Sequence, residues 1–340
     1  MSETPFTEEP ALPATGGGQL PQHPVDSGVL PGTLGGLRPP AINIALFALT
    51  AASAFLAGAF LGDTQLPPPT GPEEVRHGLA FSAALIAILL AHEMGHFVLA
   101  RKHGVDATWP FFIPAPILSL IGTLGAVIRL RSLPRTRRAL IDIGAAGPIA
   151  GFLVTLPILY VGLRLSTPVP LEPTPVHWTL FDAAVTLLRD GQFLSSRNDL
   201  DLGHPLAMLA LQKLAGDAPV GMTLALHPVA IAGWFGLLLT ALNLLPLGQL
   251  DGGHCLYAVS PLLHRLLGAP LAALLFVLGL ITPFTGWSLW GLLMGLFLSH
   301  HPPLQEPEEE LSRGRKWVAA ASLALFVCCF VPVPVALLRA

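Results

Sequence analysis

The sequence predicts an all-α polytopic membrane protein of about six to seven transmembrane helices, with one short re-entrant or β-like segment. Two observations predict it. The 340 residues are 52% hydrophobic and only 11% charged, with a mean hydropathy of +0.65, whereas a soluble domain carries about 25% charge. Apolar runs close to the ~20 residues needed to cross a bilayer recur along the chain. The net charge of −3 offers no basic field for nucleic acid. The cysteines Cys255, Cys328 and Cys329 form neither a disulfide framework nor a zinc knuckle. A metal site would have to use His and carboxylates.

Taken in order, residues 1–39 are rich in Pro, Gly and Thr and read as a disordered cytoplasmic tail without a signal-peptide pattern. Residues 40–76 hold the first transmembrane helix, Ala41–Leu61, and an outer loop. Residues 77–255 form a membrane core with spans at Gly78–Ala100, Ala139–Leu163 and Leu226–Leu247. Residues 256–340 add Leu262–Ile281, the short Trp287–Leu298 and Trp317–Leu338. Between the second and third spans lie Arg101, Lys102, Arg129, Arg131, Arg135, Arg137 and Arg138 against Asp106. This basic loop is expected on the cytoplasmic side, and the N-terminus with it. The stretches 63–76 and 166–225 then fall outside. The expected location is an integral multi-pass position in a membrane, most simply that of a bacterial cell, because no transit peptide is evident.

Trp109–Leu130 is apolar but interrupted by Pro110, Pro114, Pro116, Gly122 and Gly125. That density of breakers excludes a straight spanning helix. The run Thr123–Arg131 reads as a strand. Irregular backbone at membrane depth is tolerated only against protein or a wet cavity.

The chemistry concentrates in two places. His92-Glu93-Met94-Gly95-His96 lies inside the second span. Residues i and i+4 share a helix face, so His92 and His96 can reach one metal ion, with Glu93 beside a bound water as its base. Charged groups at this depth are costly unless they serve one another. The second cluster, Asn243 to His254, ends the fourth span on the same predicted side. Asp251 is the expected third ligand, leaving the fourth zinc position to water. Pro246 and the following glycines break the helix and let the chain bend Asp251 toward the metal. Asn243 is a candidate donor to a substrate carbonyl or oxyanion, or equally a helix–helix hydrogen bond. His254 is either an outer partner of the metal site or merely juxtamembrane. His103, His204 and His227 read as interfacial, His300 and His301 as solvated, and Glu306–Glu310 with Arg313, Arg315 and Lys316 as a solvated linker. Gly144, Gly147 and Gly151 are read as small residues that let the third span pack closely.

HExGH in a span, GxxGP in the next, and a later NxxPxxxLDGG together resemble the site-2 protease family of zinc metalloproteases. The similarity covers roughly residues 78–255. Phe111–Pro114, Gly122–Val127 and the stretch from Gly233-Trp-Phe-Gly236 through Gly253 look most like the branch with the plastid gravitropism-deficient, yellow-green proteins. The resemblance implies regulated cleavage within or near the spans of transmembrane protein substrates in a lipid bilayer. It carries the zinc-ligand role, one Zn2+ per chain, to His92, His96 and Asp251, and the general-base role to Glu93. The PDZ and CBS domains of many relatives have no counterpart in this sequence.

A helical substrate hides its carbonyls and must unwind. The strand-like Thr123, Leu124, Gly125, Ala126 and Val127 are expected to dock it as an added strand. Two other functions fit parts of the pattern. A membrane metal-ion transporter would show several metal positions along a path and an inverted repeat. An inactive protease-like scaffold would lack a ligand or the base. One cluster, no repeat and a full set of four residues favour the protease. The oligomeric state has no sequence signal.

Overall fold

The computed structural model describes residues 39–60, 71–116, 119–170, 196–297, 301–304 and 310–339. Apart from residue 39, the predicted N-terminal tail lies outside them, as does His300. The helices are α1 (Ala41–Phe60), α2 (Pro72–Lys102), α3 (Arg137–Leu165), α4 (Leu206–Ala215), α5 (Pro228–Asn243), α6 (Asp251–Val259), α7 (Pro261–Ile281), α8 (Gly286–Phe297) and α9 (Arg313–Cys329). The strands are β1 (Phe111–Pro114), β2 (Thr123–Val127), β3 (Thr167–Pro170), β4 (Ser196–Leu202), β5 (Met222–Ala225) and β6 (Val335–Arg339).

Four of these helices, α1, α2, α3 and α7, are long and apolar enough to cross a membrane. Leu49 of α1, Leu153 of α3 and Leu274 of α7 stay exposed, as lipid-facing side chains do. Two of the other expected spans are shorter than predicted, while Trp287–Leu298 appears as α8 at its expected length. α5 stops at Asn243 rather than Leu247, because Pro246 and the left-handed Gly248 end the helical path. The expected last span, Trp317–Leu338, divides into α9 and strand β6. Pro332 and Pro334 prevent the helix from continuing. The chain is therefore mostly helical but not purely so. Its described residues carry three two-stranded antiparallel sheets, β1–β2, β3–β5 and β4–β6.

The core is a packed set of α1, α2, α3 and α5. Phe81, Leu85 and Leu89 of α2 bury against Ala54 of α1 and Ala232 of α5. Leu159 and Leu163 of α3 bury against Trp234 and Leu237 of α5. Trp234 also donates its indole N–H to the Gly203 carbonyl at 2.6 Å, which ties the α4 region to this core.

The breaker-rich segment forms the hairpin β1–β2, with Phe112 opposite Ala126. It is gripped by α1. Asn43 donates its amide to the Trp109 and Pro110 carbonyls at 3.1 and 2.8 Å, and Phe47 meets Phe112 edge-on. These bonds satisfy carbonyls that proline-interrupted backbone leaves without helical partners.

Candidate metal centre

α2 runs unbroken for 31 residues, with glutamates in its first turn and Arg101 and Lys102 in its last, both favourable to the helix dipole. Within it His92, Glu93 and His96 are buried. The four-residue spacing places the two imidazoles one above the other, with their Nε2 atoms 3.1 Å apart.

The third group arrives from α6. After Asn243 the chain makes a tight turn, and Asp251 opens the next helix. The turn needs glycine at its close: a methyl group on Gly252 would run into the Leu244 carbonyl. Asp251 Oδ2 thereby lies 3.4 Å from His92 Nε2 and 3.2 Å from His96 Nε2.

Whether this set fits a metal can be judged from its own geometry. Zinc bonds of about 2.0–2.1 Å in a tetrahedron place neighbouring ligand atoms about 3.3 Å apart. The three separations here, 3.1, 3.2 and 3.4 Å, match that edge. The tautomer also fits. His96 Nδ1 donates to the Ile143 carbonyl at 2.7 Å, which leaves the Nε2 lone pair facing His92 and Asp251. Two neutral imidazoles and a carboxylate are a ligand set that zinc accepts.

Gly147 of α3 lies directly under His96; a Cβ there would overlap the imidazole ring. The small residues Gly144 and Gly147 thus bring α3 against both α2 and the start of α6, where a Cβ on Gly144 would touch the His254 Cβ.

A cavity of about 400 Å³ opens beside the three groups. Glu93, His96, Asn243, Asp251 and His254 line it, together with Val127 and Ile128 at the end of β2. Asn243 places its amide nitrogen 3.2 Å from His92 Nε2. Thr123 is buried and structural: its hydroxyl donates to the Ile113 carbonyl and accepts from the Gly125 amide. Leu124 and Val127 are exposed on β2.

Two sequence expectations are corrected. His301 is not solvated: it stacks on Tyr257, bonds to His254 and lines the cavity. Arg315 is not in a solvated linker. It pairs with Asp142 through bonds of 3.0, 3.1 and 2.6 Å, and His103 reaches the same carboxylate at 2.9 Å. The Ile143 carbonyl is not legible in the sequence, since backbone acceptors leave no residue-type mark. His227 caps α5 by accepting from the Val229 amide.

The chain is similar to known proteins. It is 30% identical over 265 residues to "Probable zinc metalloprotease EGY2, chloroplastic" of Arabidopsis thaliana, covering 77% of this chain and 43% of that protein. It is 34% identical over 230 residues to "Probable zinc metalloprotease EGY1, chloroplastic" of the same plant, covering 63% of this chain and 38% of that protein. The rice EGY1 protein, Oryza sativa subsp. japonica, is 33% identical over 233 residues. The chain spans under half the length of these relatives. No solved structure matches it. The model of Peptidase family M50 matches residues 80–285, more than half of the chain and both halves of the metal centre. The chain belongs to Peptidase family M50, the site-2 protease family.

Proposed function

We propose that this chain is an intramembrane zinc metalloprotease that hydrolyses peptide bonds within or near the spans of transmembrane protein substrates. The observation that carries this reading is the convergence of His92, His96 and Asp251 on one point, beside a cavity lined by Glu93, His96 and Asp251. Those three residues would hold one zinc ion. The bound ion supplies a Lewis acid that makes water a nucleophile near neutral pH.

The chain's own groups do the rest. Glu93 takes a proton from the attacking water as the new C–O bond forms, and then returns it to the amide nitrogen so that the peptide C–N bond breaks and the amine leaves. Asn243 offers its amide N–H to the carbonyl oxygen as negative charge builds there. Because β2 has one neighbour among the described residues, β1, its outer edge is proposed to take an extended substrate as a further strand. Val127 and Ile128 then lead that strand to Glu93.

The chain is proposed to sit as a multi-pass protein in a membrane with its N-terminus and the basic loop after α2 on the cytoplasmic side. A bacterial cell membrane is the location expected from the sequence, whereas the names of the relatives place those proteins in chloroplasts.

Cleavage of single-span peptides in liposomes by the wild type and by Glu93→Gln, with zinc measured in both, tests the reading. The expected result is cleavage by the wild type alone, with zinc in both proteins. Absence of zinc from both overturns it.

A further inference from the structure

Part of the cavity wall comes from chain beyond the family-matched residues 80–285: His301, Pro302, Pro303 and Leu304. His301 is held from several directions. Its ring stacks on Tyr257 with centroids 3.9 Å apart and planes 13° apart. His264, fixed to the Gly248 carbonyl at 2.9 Å, meets it edge-on. His254 approaches at right angles, with its Nδ1 2.8 Å from His301 Nε2.

This arrangement determines where the protons are. His301 Nδ1 lies 2.7 Å from the Pro302 carbonyl oxygen. A carbonyl only accepts, so His301 Nδ1 carries a hydrogen. Burial holds the His301 imidazole below its ordinary value, which keeps it neutral at pH 7. Its Nε2 is then bare, and the 2.8 Å contact is donated by the His254 Nδ1–H. His254 Nε2 is bare in turn. That nitrogen has no hydrogen-bond partner among the described residues, and it is not among their buried unsatisfied atoms. It is therefore reachable by solvent, and His254 lines the cavity together with Glu93, His96 and Asp251.

A lone pair fixed in that place needs a donor. A peptide that docks one edge on β2 exposes backbone N–H groups along its other edge, and these are costly to leave unpaired once water is displaced. We propose that His254 is a substrate-contacting residue that accepts a backbone N–H of the unwound peptide, and that His301 is a positioning residue that sets the His254 tautomer for it. The proposal rests on the protease reading and adds a contact to it. It also gives the chain after residue 285 a part in the site.

The test uses a fluorescently labelled synthetic single-span peptide and the full-length Glu93→Gln protein in detergent, with zinc content measured on every variant. The affinity for this uncleaved peptide is expected to fall about five-fold when His254→Leu is added, the worth of one neutral hydrogen bond. His254→Gln, which restores an acceptor, returns it to within about two-fold. His301→Phe keeps the stack on Tyr257 and removes the acceptor for His254, and gives an intermediate loss. Equal affinity of His254 and Leu proteins with zinc intact overturns the proposal and leaves the protease reading standing. Failure of the wild type to cleave the peptide overturns that reading itself. A measurement free of substrate is 15N NMR of histidine-labelled protein. Nδ1-protonated tautomers at His254 and His301 support the assignment, and Nε2-protonated ones overturn it.

Discussion

Gly147 and His96 occupy adjoining space so tightly that a single methyl group on the glycine would overlap the imidazole ring. The glycine's own helix, α3, also fixes the ring through the bond to the Ile143 carbonyl, one turn before Gly147. Gly147→Ala is therefore expected to push His96 out of register with His92 and Asp251. Zinc affinity should fall by roughly ten- to a hundred-fold, as when an outer-shell partner is lost. Metal content after dialysis against graded zinc buffers measures it, with helix content by circular dichroism as the control for folding.

Removal of the metal should destabilise the protein. Two imidazoles and a carboxylate held 3.1 to 3.4 Å apart stabilise the folded chain through whatever they bind. At a zinc concentration about 100-fold above Kd the linkage is about 2.7 kcal/mol. A chelator should lower the unfolding temperature in detergent, and added zinc should restore it. In Asp251→Ala the chelator should produce no further shift.

The grip of α1 on the β1–β2 hairpin predicts a separation of zinc binding from cleavage. Asn43→Leu deletes the donor to the Trp109 and Pro110 carbonyls. Each lost bond costs about 1 kcal/mol. Amide exchange across residues 111–127 should speed up and cleavage should drop several-fold, while zinc content stays at the wild-type level. Unchanged exchange would show that α1 does not hold the hairpin.

Arg315 and Asp142 join the start of α9 to α3 through two nitrogens and both carboxylate oxygens. Both side chains are largely shielded from solvent, at 27% and 17% exposure. Arg315→Ala is expected to cost about 2 kcal/mol, the scale of hydrogen bonds to charged groups. Thermal unfolding in detergent measures it. Arg315→Lys should recover only part of the loss, since a lysine cannot reproduce the forked contact.

Acid should weaken the wall around His301. Its pKa is lowered in the folded chain by burial, so the unfolded state takes up a proton first. The stability that depends on neutral His301 is present above about pH 6.5 and is lost as pH falls from there through the lower folded value. Unfolding temperature against pH should decline over that window, and His301→Phe should flatten the decline.

What the sequence revealed follows from what each residue type can signal. The HExxH spacing and the LDGG run were readable because their geometry is local: one helix face and one tight turn. The strand character of Thr123–Val127 was readable from Pro and Gly at its borders. Helix ends were read less well. Pro246 shortened α5 and Pro332 ended α9, since apolar composition continues past the points where the backbone stops being helical. His301 was misread because its partners, Tyr257 and His254, lie more than forty residues earlier in the chain. Nothing local distinguishes it from a solvated histidine beside a proline. The Arg315–Asp142 pair, 173 residues apart, was illegible for the same reason.

The two histidines come from one helix, and Asp251 follows His96 only after α3, α4 and α5 have been made. A nascent chain inserted as far as α5 thus displays two of the three metal-facing groups and no closed centre. With His301 contributing to the cavity, the wall waits until still later in synthesis. The order of residues along the chain therefore acts as a timer: on the protease reading, a half-inserted copy lacks a closed centre, and competence comes only after Asp251 and then His301 have been made.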